Sequence, residues 1–140
     1  MSDPPGVLPG PTGPTRILQV GIDVAEIPRF RIVLARRPRL ADRVFTEAEL
    51  AYARRKRDPT ERLAARFAAK EAVMKSLGVG LGRFPFRDVE VTRARSGAPG
   101  LLLTGKAAAL AEQRGVTEWR ISLTHSELIA AAIVVALGAA

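Results

Sequence analysis

The sequence predicts an α+β fold in which one long helix packs on a small, mostly antiparallel sheet. A clearly bounded helical pattern covers residues 58–77, and short runs rich in β-branched residues are typical of strands. Helical segments and hairpin-like strand pairs are mixed along the chain and do not alternate strictly, which is typical of α+β domains.

A single domain is expected over residues 16–140, because 140 residues suit one compact core. Residues 1–15 contain five prolines and three glycines. This composition predicts a disordered tail, to which no role is assigned.

Residues 17–22 form a short apolar run that predicts a buried strand ending at Asp23. Pro28 suits the first turn of the next helix, because its missing N–H is not needed there. Thr46 and Glu49 fit a capping box that opens a further short helix.

The helix over residues 58–77 has the clearest boundaries. Asp58, Pro59 and Glu61 form a strong start signal, and Gly78 is expected as the left-handed cap after Leu77. At about 100° per residue, one stripe forms the expected core face and includes a lysine: Leu63, Phe67, Lys70, Met74 and Leu77. A second, smooth face would permit close approach by a ligand or another chain: Ala64, Ala65, Ala68, Ala69 and Ala72.

The C-terminal half predicts a hairpin from residues 89–92 and 101–103, a short helix over 107–114, and two strands. These strands cover residues 119–123 and 129–135 and are joined by residues 124–127. The apolar segment 128–137 is shorter than the roughly 20 residues that a membrane helix needs, so a buried strand is predicted.

Composition narrows the possible functions. The absence of cysteine excludes disulfides, zinc–thiolate sites and cysteine nucleophiles. The net charge of +8 is compatible with nucleic acid, an anionic membrane surface, or an acidic protein or small anion as partner, or with a merely basic surface. An aromatic content of 5% argues against single-stranded nucleic acid, which needs stacking platforms. No secretory signal is recognised, so a cytoplasmic location is expected.

Two phosphate-binding motifs are rejected. Residues 100–107 nearly match a P-loop, but Ala107 stands where a hydroxyl is needed and the leucine-rich interior predicts a strand. The glycines of residues 78–82 follow a helix, whereas the dinucleotide motif follows a strand.

Each candidate polar residue also has an ordinary structural explanation. Asp23 is equally explained as a cap or turn residue, and Glu71 with Lys75 as an i,i+4 ion pair. Lys70 could extend its amine to solvent, and His125 could be a hydrogen-bonded turn residue. Ser122 and Thr124 alternate toward one face of a strand, and with the imidazole of His125 they suit a phosphate.

Three segments that occur in order favour functional roles for these residues over the ordinary structural explanations. They are GIDVAEI at residues 21–27, RFAAKEAVMK at 66–75 and SLTH at 122–125. Together they resemble the signature blocks of the 4′-phosphopantetheinyl transferases, in particular the short holo-acyl-carrier-protein synthases, over residues 17–135. This resemblance implies transfer of the 4′-phosphopantetheine arm of coenzyme A to a serine of an acidic apo acyl carrier protein, with release of 3′,5′-ADP. It also implies the 4′-phosphopantetheinyl transferase fold.

The resemblance assigns roles to individual positions. Asp23 and Glu71 would bind Mg²⁺, with Mn²⁺ as the alternative, and Lys75 would contact phosphate at the catalytic centre. The remaining ligand contacts would come from Arg66 and Lys70 and, at the nucleotide phosphates, from Ser122, Thr124 and His125. The last three would belong to an adjacent subunit, because the resemblance to the short enzymes of this family also implies a homotrimer with sites between chains.

The chemistry of these residue types agrees with the roles. Magnesium uses one or two carboxylates together with water and substrate oxygens. Phosphoryl transfer depends mainly on positioning and charge neutralisation. Glu71 is the candidate base for the serine proton.

The resemblance also implies a docking surface for the carrier, formed by Arg29, Arg36 and Arg39. The neighbouring Arg31 and Arg37 are not separated from these three by the sequence. One departure is Ala98, which occupies a turn position where the family often has lysine, so any contact made by that lysine is absent.

Two other functions remain open at this point. A basic nucleic-acid-binding module would explain the charge but not Asp23 or Glu71. A non-enzymatic trimeric scaffold would use the alanine face of the long helix for assembly. The transferase interpretation expects neither a nucleic acid nor a membrane as partner.

Overall fold

The computed structural model describes residues 13–140. The predicted tail lies outside the described residues except for its last three positions. The helices and strands, in chain order, are β1 (Thr15–Glu26), α1 (Ile27–Arg36), α2 (Leu40–Val44), α3 (Glu47–Ala53), α4 (Thr60–Ser76), β2 (Val89–Arg93), β3 (Pro99–Leu103), α5 (Gly105–Gln113), β4 (Glu118–His125) and β5 (Ile129–Ala139). A 3₁₀ turn, Phe86–Asp88, precedes β2.

The predicted α+β class is confirmed. Strands β1, β5 and β4 form an antiparallel sheet with β5 in the centre, and β2 and β3 form a separate antiparallel hairpin. The predicted elements are present with small shifts in their ends, whereas α2 was not predicted. The capping box at Thr46 and Glu49 is confirmed, as is the left-handed Gly78 (φ 70°) after α4.

Helix α4 packs across the inner face of the three-stranded sheet, and its alanines make close contact possible. Its alanine face is buried against the chain's own sheet, at 0–4% exposure. At Gly21 of β1, an added Cβ would lie 1.9 Å from the carbonyl oxygen of Ala72. The expectation that the alanine face receives a ligand or another chain is therefore wrong, because β1 and β5 already cover it.

A second, smaller hydrophobic cluster joins the first three helices to α4. Its buried members come from α2, α3 and α4 and from the segments between them: Ala41, Val44, Phe45, Leu50, Ala53 and Leu63. Phe30 of α1 packs against this cluster, and its ring centroid lies 5.4 Å from that of Phe67 in α4. These contacts place α1 and α2 beside the N-terminal half of α4.

The outer face of the sheet is exposed and apolar, which corrects the prediction of fully buried strands. In β5, Ala132 and Val134 face the core, but Ile133 between them is 41% exposed. In β1, Ile22 is 59% exposed and Val24 is 52% exposed. Only the inner half of each strand is therefore buried within one chain. Among residues 13–140, no helix is long and apolar enough to span a membrane.

Candidate functional site

Asp23 lies within β1 and not at its end, because the strand continues to Glu26. It pairs with Ala132 of β5, and the alternation of the strand turns its side chain to the inner face, beside α4. The side chain is 11% exposed. Asp23 is thus presented by sheet geometry and not by the strand end or turn that its local sequence suggested.

Glu71 and Lys75 project from α4 toward Asp23. Lys75 Nζ lies 2.8 Å from Asp23 Oδ1 and 3.1 Å from the carbonyl oxygen of Ile22. This ion pair joins the helix to the sheet. The i,i+4 spacing had instead suggested an ion pair between Lys75 and Glu71 within the helix. Hydrogen bonding and charge from Asp23 raise the pKa of Lys75.

The carboxyl group of Asp23 is close enough to Glu71 to change the pKa of Glu71. Partial burial, followed by hydrogen bonding and charge repulsion from Asp23, raises the pKa of Glu71 from 4.5 to about 7. Two carboxylates side by side form a strongly anionic position, which a divalent cation would neutralise.

The donor set at this position fits magnesium. Within residues 13–140, no group of three or more histidine, cysteine or acidic side chains could hold a metal ion. Asp23 and Glu71 alone therefore leave most of a coordination shell to other oxygens. That suits Mg²⁺, which keeps several waters and uses substrate phosphates as ligands.

A groove of about 490 Å³ begins at Glu71 and runs between α1, α2 and α4. Its walls are mostly apolar and include Phe30, Phe45 and Phe86, while Arg29 lies at its edge. The structure therefore places an apolar channel directly beside the paired carboxylates.

Lys70 occupies a different place from the one that the resemblance implied. Its side chain is 0% exposed, and its ammonium lies 2.7 Å from Glu49 Oε1. It also donates to the carbonyl oxygens of Phe86 and Val89. This placement disagrees with direct contact between Lys70 and a phosphate, because the ammonium is surrounded by acceptors of the chain itself.

Arg66 belongs to a group of arginines that surrounds Tyr52. The guanidinium carbons of Arg62, Arg66 and Arg93 lie 4.1, 4.4 and 4.8 Å from the centre of the tyrosine ring. Arg66 is 2% exposed and its Nε has no hydrogen-bond partner. Burial lowers the pKa of Arg66.

Sequence reasoning missed Tyr52, Arg62 and Arg93. The only local signal was the i,i+4 spacing of Arg62 and Arg66 on α4, which places both side chains on one face. Arg93 reaches the same ring from β2, so no sequence spacing could have joined it to the group.

Ser122 and Thr124 lie on the outer face of the sheet, opposite Asp23. They are exposed, while the alternating residues Ile121 and Leu123 pack toward the core. The prediction that both hydroxyls share one face is confirmed, but within one chain the sheet separates that face from Glu71.

His125 was predicted to lie in the segment that joins two strands. In the structure it is the last residue of β4. Its Nδ1 lies 3.6 Å from Oε2 of Glu61, near the start of α4. Glu61 and Glu71 are ten positions apart on α4, a rise of about 15 Å along the helix, so His125 contacts α4 well away from the carboxylate pair of its own chain.

The arginines expected to dock the carrier are exposed on one side of the groove. Arg29 and Arg36 belong to α1, and Arg39 immediately precedes α2. Arg31 is occupied by a salt bridge to Asp58, with Nη2 and Oδ2 3.0 Å apart. Arg37 lines a small surface pocket together with Arg39.

Comparisons with known proteins show the family to which the chain belongs. The family model of the 4′-phosphopantetheinyl transferase superfamily matches residues 19–133. A holo-[acyl-carrier-protein] synthase of Moorella thermoacetica is 50% identical over 117 residues, covering 84% of this chain and 91% of the relative. One from Streptomyces avermitilis is 52% identical over 122 residues, covering 87% and 98%.

A solved structure carries the same fold. The holo-(acyl-carrier-protein) synthase of Bacillus anthracis, in complex with CoA (3′,5′-ADP), superposes with a TM-score of 0.73 at 32% identity, covering 88% of this chain and 98% of that one. The order of the three sequence blocks, the helix-on-sheet fold and the matched length agree, and the chain belongs to the 4′-phosphopantetheinyl transferase superfamily.

Proposed function

We propose that this transferase moves the 4′-phosphopantetheine arm of coenzyme A to a serine of an apo acyl carrier protein and releases 3′,5′-ADP. The observation that carries the proposal is the convergence of Asp23, Glu71 and Lys75 beside an apolar groove. The family match supplies the reaction class, and this geometry supplies the groups that the reaction needs.

Asp23 and Glu71 would hold Mg²⁺, with Mn²⁺ as an alternative, and the bound ion would supply positive charge for the pyrophosphate of coenzyme A. Glu71 accepts the proton of the carrier serine. The serine oxygen forms a bond to the phosphorus that bears the pantetheine arm, and the bond from that phosphorus to the bridging oxygen breaks. Lys75 places a positive charge beside the departing 3′,5′-ADP.

The carrier docks along α1 and the start of α2. Arg29, Arg36 and Arg39 present exposed positive charge to an acidic partner, which speeds encounter and makes binding sensitive to salt. Arg29 also lies at the edge of the apolar groove, so the carrier meets charge and apolar surface together.

The functional unit is a homotrimer with sites between subunits. Support comes from the outer face of the sheet, where Ile22, Val24 and Ile133 are each more than 40% exposed. Isolated surface hydrophobic residues are ordinary, but a contiguous apolar sheet face marks an interaction surface. Ser122 and Thr124 lie on this same face, so they would contact a nucleotide held by a neighbouring copy.

The nucleotide phosphates are bound by Arg66, Ser122, Thr124 and His125. The buried Nε of Arg66, which has no partner, and the positive charge around Tyr52 support an anion near the N-terminal half of α4. The enzyme acts in the cytoplasm, where coenzyme A and the carrier would be available to it.

Mass spectrometry of an apo carrier incubated with enzyme, coenzyme A and Mg²⁺ tests the reaction. The expected result is a gain of the phosphopantetheine mass on one serine, lost when Mg²⁺ is removed by a chelator. Glu71→Ala should abolish transfer while the protein stays folded, and full activity in this variant would disprove the mechanism. Salt-sensitive binding to DNA or RNA without any response to coenzyme A would instead favour a nucleic-acid-binding module.

A further inference from the structure

Lys70 and Glu49 form the centre of a buried polar cluster that joins three separate parts of the chain. Lys70 is 0% exposed and Glu49 is 1% exposed. Besides its 2.7 Å contact with Glu49, the ammonium of Lys70 donates to the carbonyl oxygens of Phe86, at 3.1 Å, and Val89. All three N–H bonds of this ammonium thus have acceptors supplied by the chain.

The carboxylate of Glu49 continues the cluster into α3 and β2. It accepts hydrogen bonds from the backbone N–H of Thr46, at 2.9 Å, and from that of Val91, at 3.0 Å. The Lys70–Glu49 pair therefore ties the first turn of α3 and the start of β2 to the middle of α4.

Two walls of the apolar groove are attached directly to this cluster. Phe45 immediately precedes the capping residue Thr46, and the carbonyl group of Phe86 is itself a partner of Lys70. Both phenylalanines line the groove together with Glu71. The buried pair thus contacts the backbone beside each of these two walls.

The paired carboxylates do not depend on Lys70 in the same way. The alanine face fixes α4 on the sheet, where Gly21 of β1 lies directly against the carbonyl of Ala72. This contact sets the distance between β1 and α4 and hence the approach of Glu71 to Asp23. Removing Lys70 should therefore loosen the groove walls while the carboxylate pair stays in place.

We propose that Lys70 is a positioning residue that holds the groove in the shape that receives the carrier protein, and that it does not contact coenzyme A. The inference rests on the proposed function, in which the carrier docks beside Arg29 at the edge of this groove. An apolar groove next to exposed arginines fits an acidic partner that also presents apolar side chains.

Steady-state kinetics of Lys70→Met tests this role, because methionine keeps most of the side-chain volume and removes the ammonium. We expect KM for the apo carrier to rise about ten-fold or more, while kcat and KM for coenzyme A change by less than about three-fold. Glu49→Gln, which keeps Lys70, should raise KM for the carrier in the same direction.

The double variant Glu49→Gln/Lys70→Met provides a rescue. The glutamine amide can still accept one of the two backbone bonds, from Val91 or from Thr46, and it removes the carboxylate charge that Lys70→Met alone leaves unpaired. Neither position of the former ion pair then carries a charge, so KM for the carrier should fall below that of Lys70→Met alone. Leu110→Ala, in the core of α5 and away from the groove, controls for loss of stability without a change in the groove.

A rise of about ten-fold in KM for coenzyme A with unchanged KM for the carrier would overturn the proposal, because it indicates direct contact with the anion. Wild-type KM values in folded Lys70→Met and Glu49→Gln would also overturn it, leaving the pair a role in stability alone. The wild-type enzyme runs in the same assay, and its failure to modify the carrier would disprove the proposed function itself.

Discussion

Replacing Glu71 with glutamine should stabilise the metal-free protein, and only at neutral to alkaline pH. Partial burial and the nearby Asp23 raise the pKa of Glu71 from 4.5 to about 7 in the folded state. Between these two values the folded chain keeps a proton that the unfolded chain has released, so stability falls as pH rises. Above pH 7 the full cost of the charged carboxylate is present, and glutamine does not incur it.

The size of the effect follows from the two pKa values. A rise from 4.5 to about 7 corresponds to roughly 3 kcal/mol. Glu71 is half-buried and Lys75 is nearby, so solvent screening reduces the expected gain to about 1–2 kcal/mol at pH 8.5. Near pH 4.5, where both states hold much of the proton, the variant and the wild type should differ little.

Urea unfolding with a chelator present, at pH 4.5 and pH 8.5, measures this difference. Glu112→Gln, an exposed position on α5, is the matched control and should change stability little at either pH. Equal effects of Glu71→Gln at both pH values, or none at all, would refute the reasoning. Excess Mg²⁺ should stabilise the wild type at pH 8.5 but not Glu71→Gln, because the variant lacks one of the two carboxylates.

Three further changes probe other parts of the molecule. Gly21→Ala should lower the free energy of unfolding by about 1–3 kcal/mol or more in thermal or urea unfolding, because its Cβ would overlap the backbone of Ala72. Arg36→Glu should raise KM for the carrier and weaken its dependence on salt, measured in transfer assays between about 50 and 300 mM salt. Ile22→Asp should convert the proposed trimer to smaller species in sedimentation experiments, because a charge would be buried in the proposed apolar interface.

Each of these changes has a matched control and a result that contradicts it. Gly80→Ala adds a Cβ where no atom lies within 4 Å, so similar losses in both glycine variants would exclude a clash with α4. Arg95→Glu changes the same charge away from α1, and an equal effect would indicate a general electrostatic response. Leu102→Asp alters an exposed residue of β3, outside the three-stranded sheet, and should leave the assembly intact.

Local patterns predicted the secondary structure well where only neighbouring residues decide it. The capping box at Thr46 and the glycine after α4 depend on hydrogen bonds and backbone angles within one turn. The ends of β1 were less well predicted, because pairing with β5 continues past the apolar run to Glu26. Strand ends are set by the partner strand, which the local sequence does not contain.

The burial of particular faces could not be obtained from the same patterns. The smooth alanine face was available in principle to a ligand, another chain or the chain's own sheet. Gly21 allows the chain's own sheet to cover this face, because the missing side chain on β1 leaves room for the backbone of α4. Lys70 was likewise ambiguous until Glu49, 21 positions away, proved to be its partner.

For the site as well, the sequence and the tertiary structure contribute different parts. The ordered blocks around Asp23, Glu71 and His125 determine the family and the residue types available for chemistry. Each block is a contiguous segment, so it can be recognised without the fold. Their arrangement in space was decided only by packing. Antiparallel pairing turns Asp23 toward α4 while it turns Ser122 and Thr124 to the opposite face, and close packing at Gly21 brings Glu71 and Lys75 to Asp23. Such contacts join residues about fifty positions apart, and their free energy comes from the shape of the folded core, which no local pattern encodes.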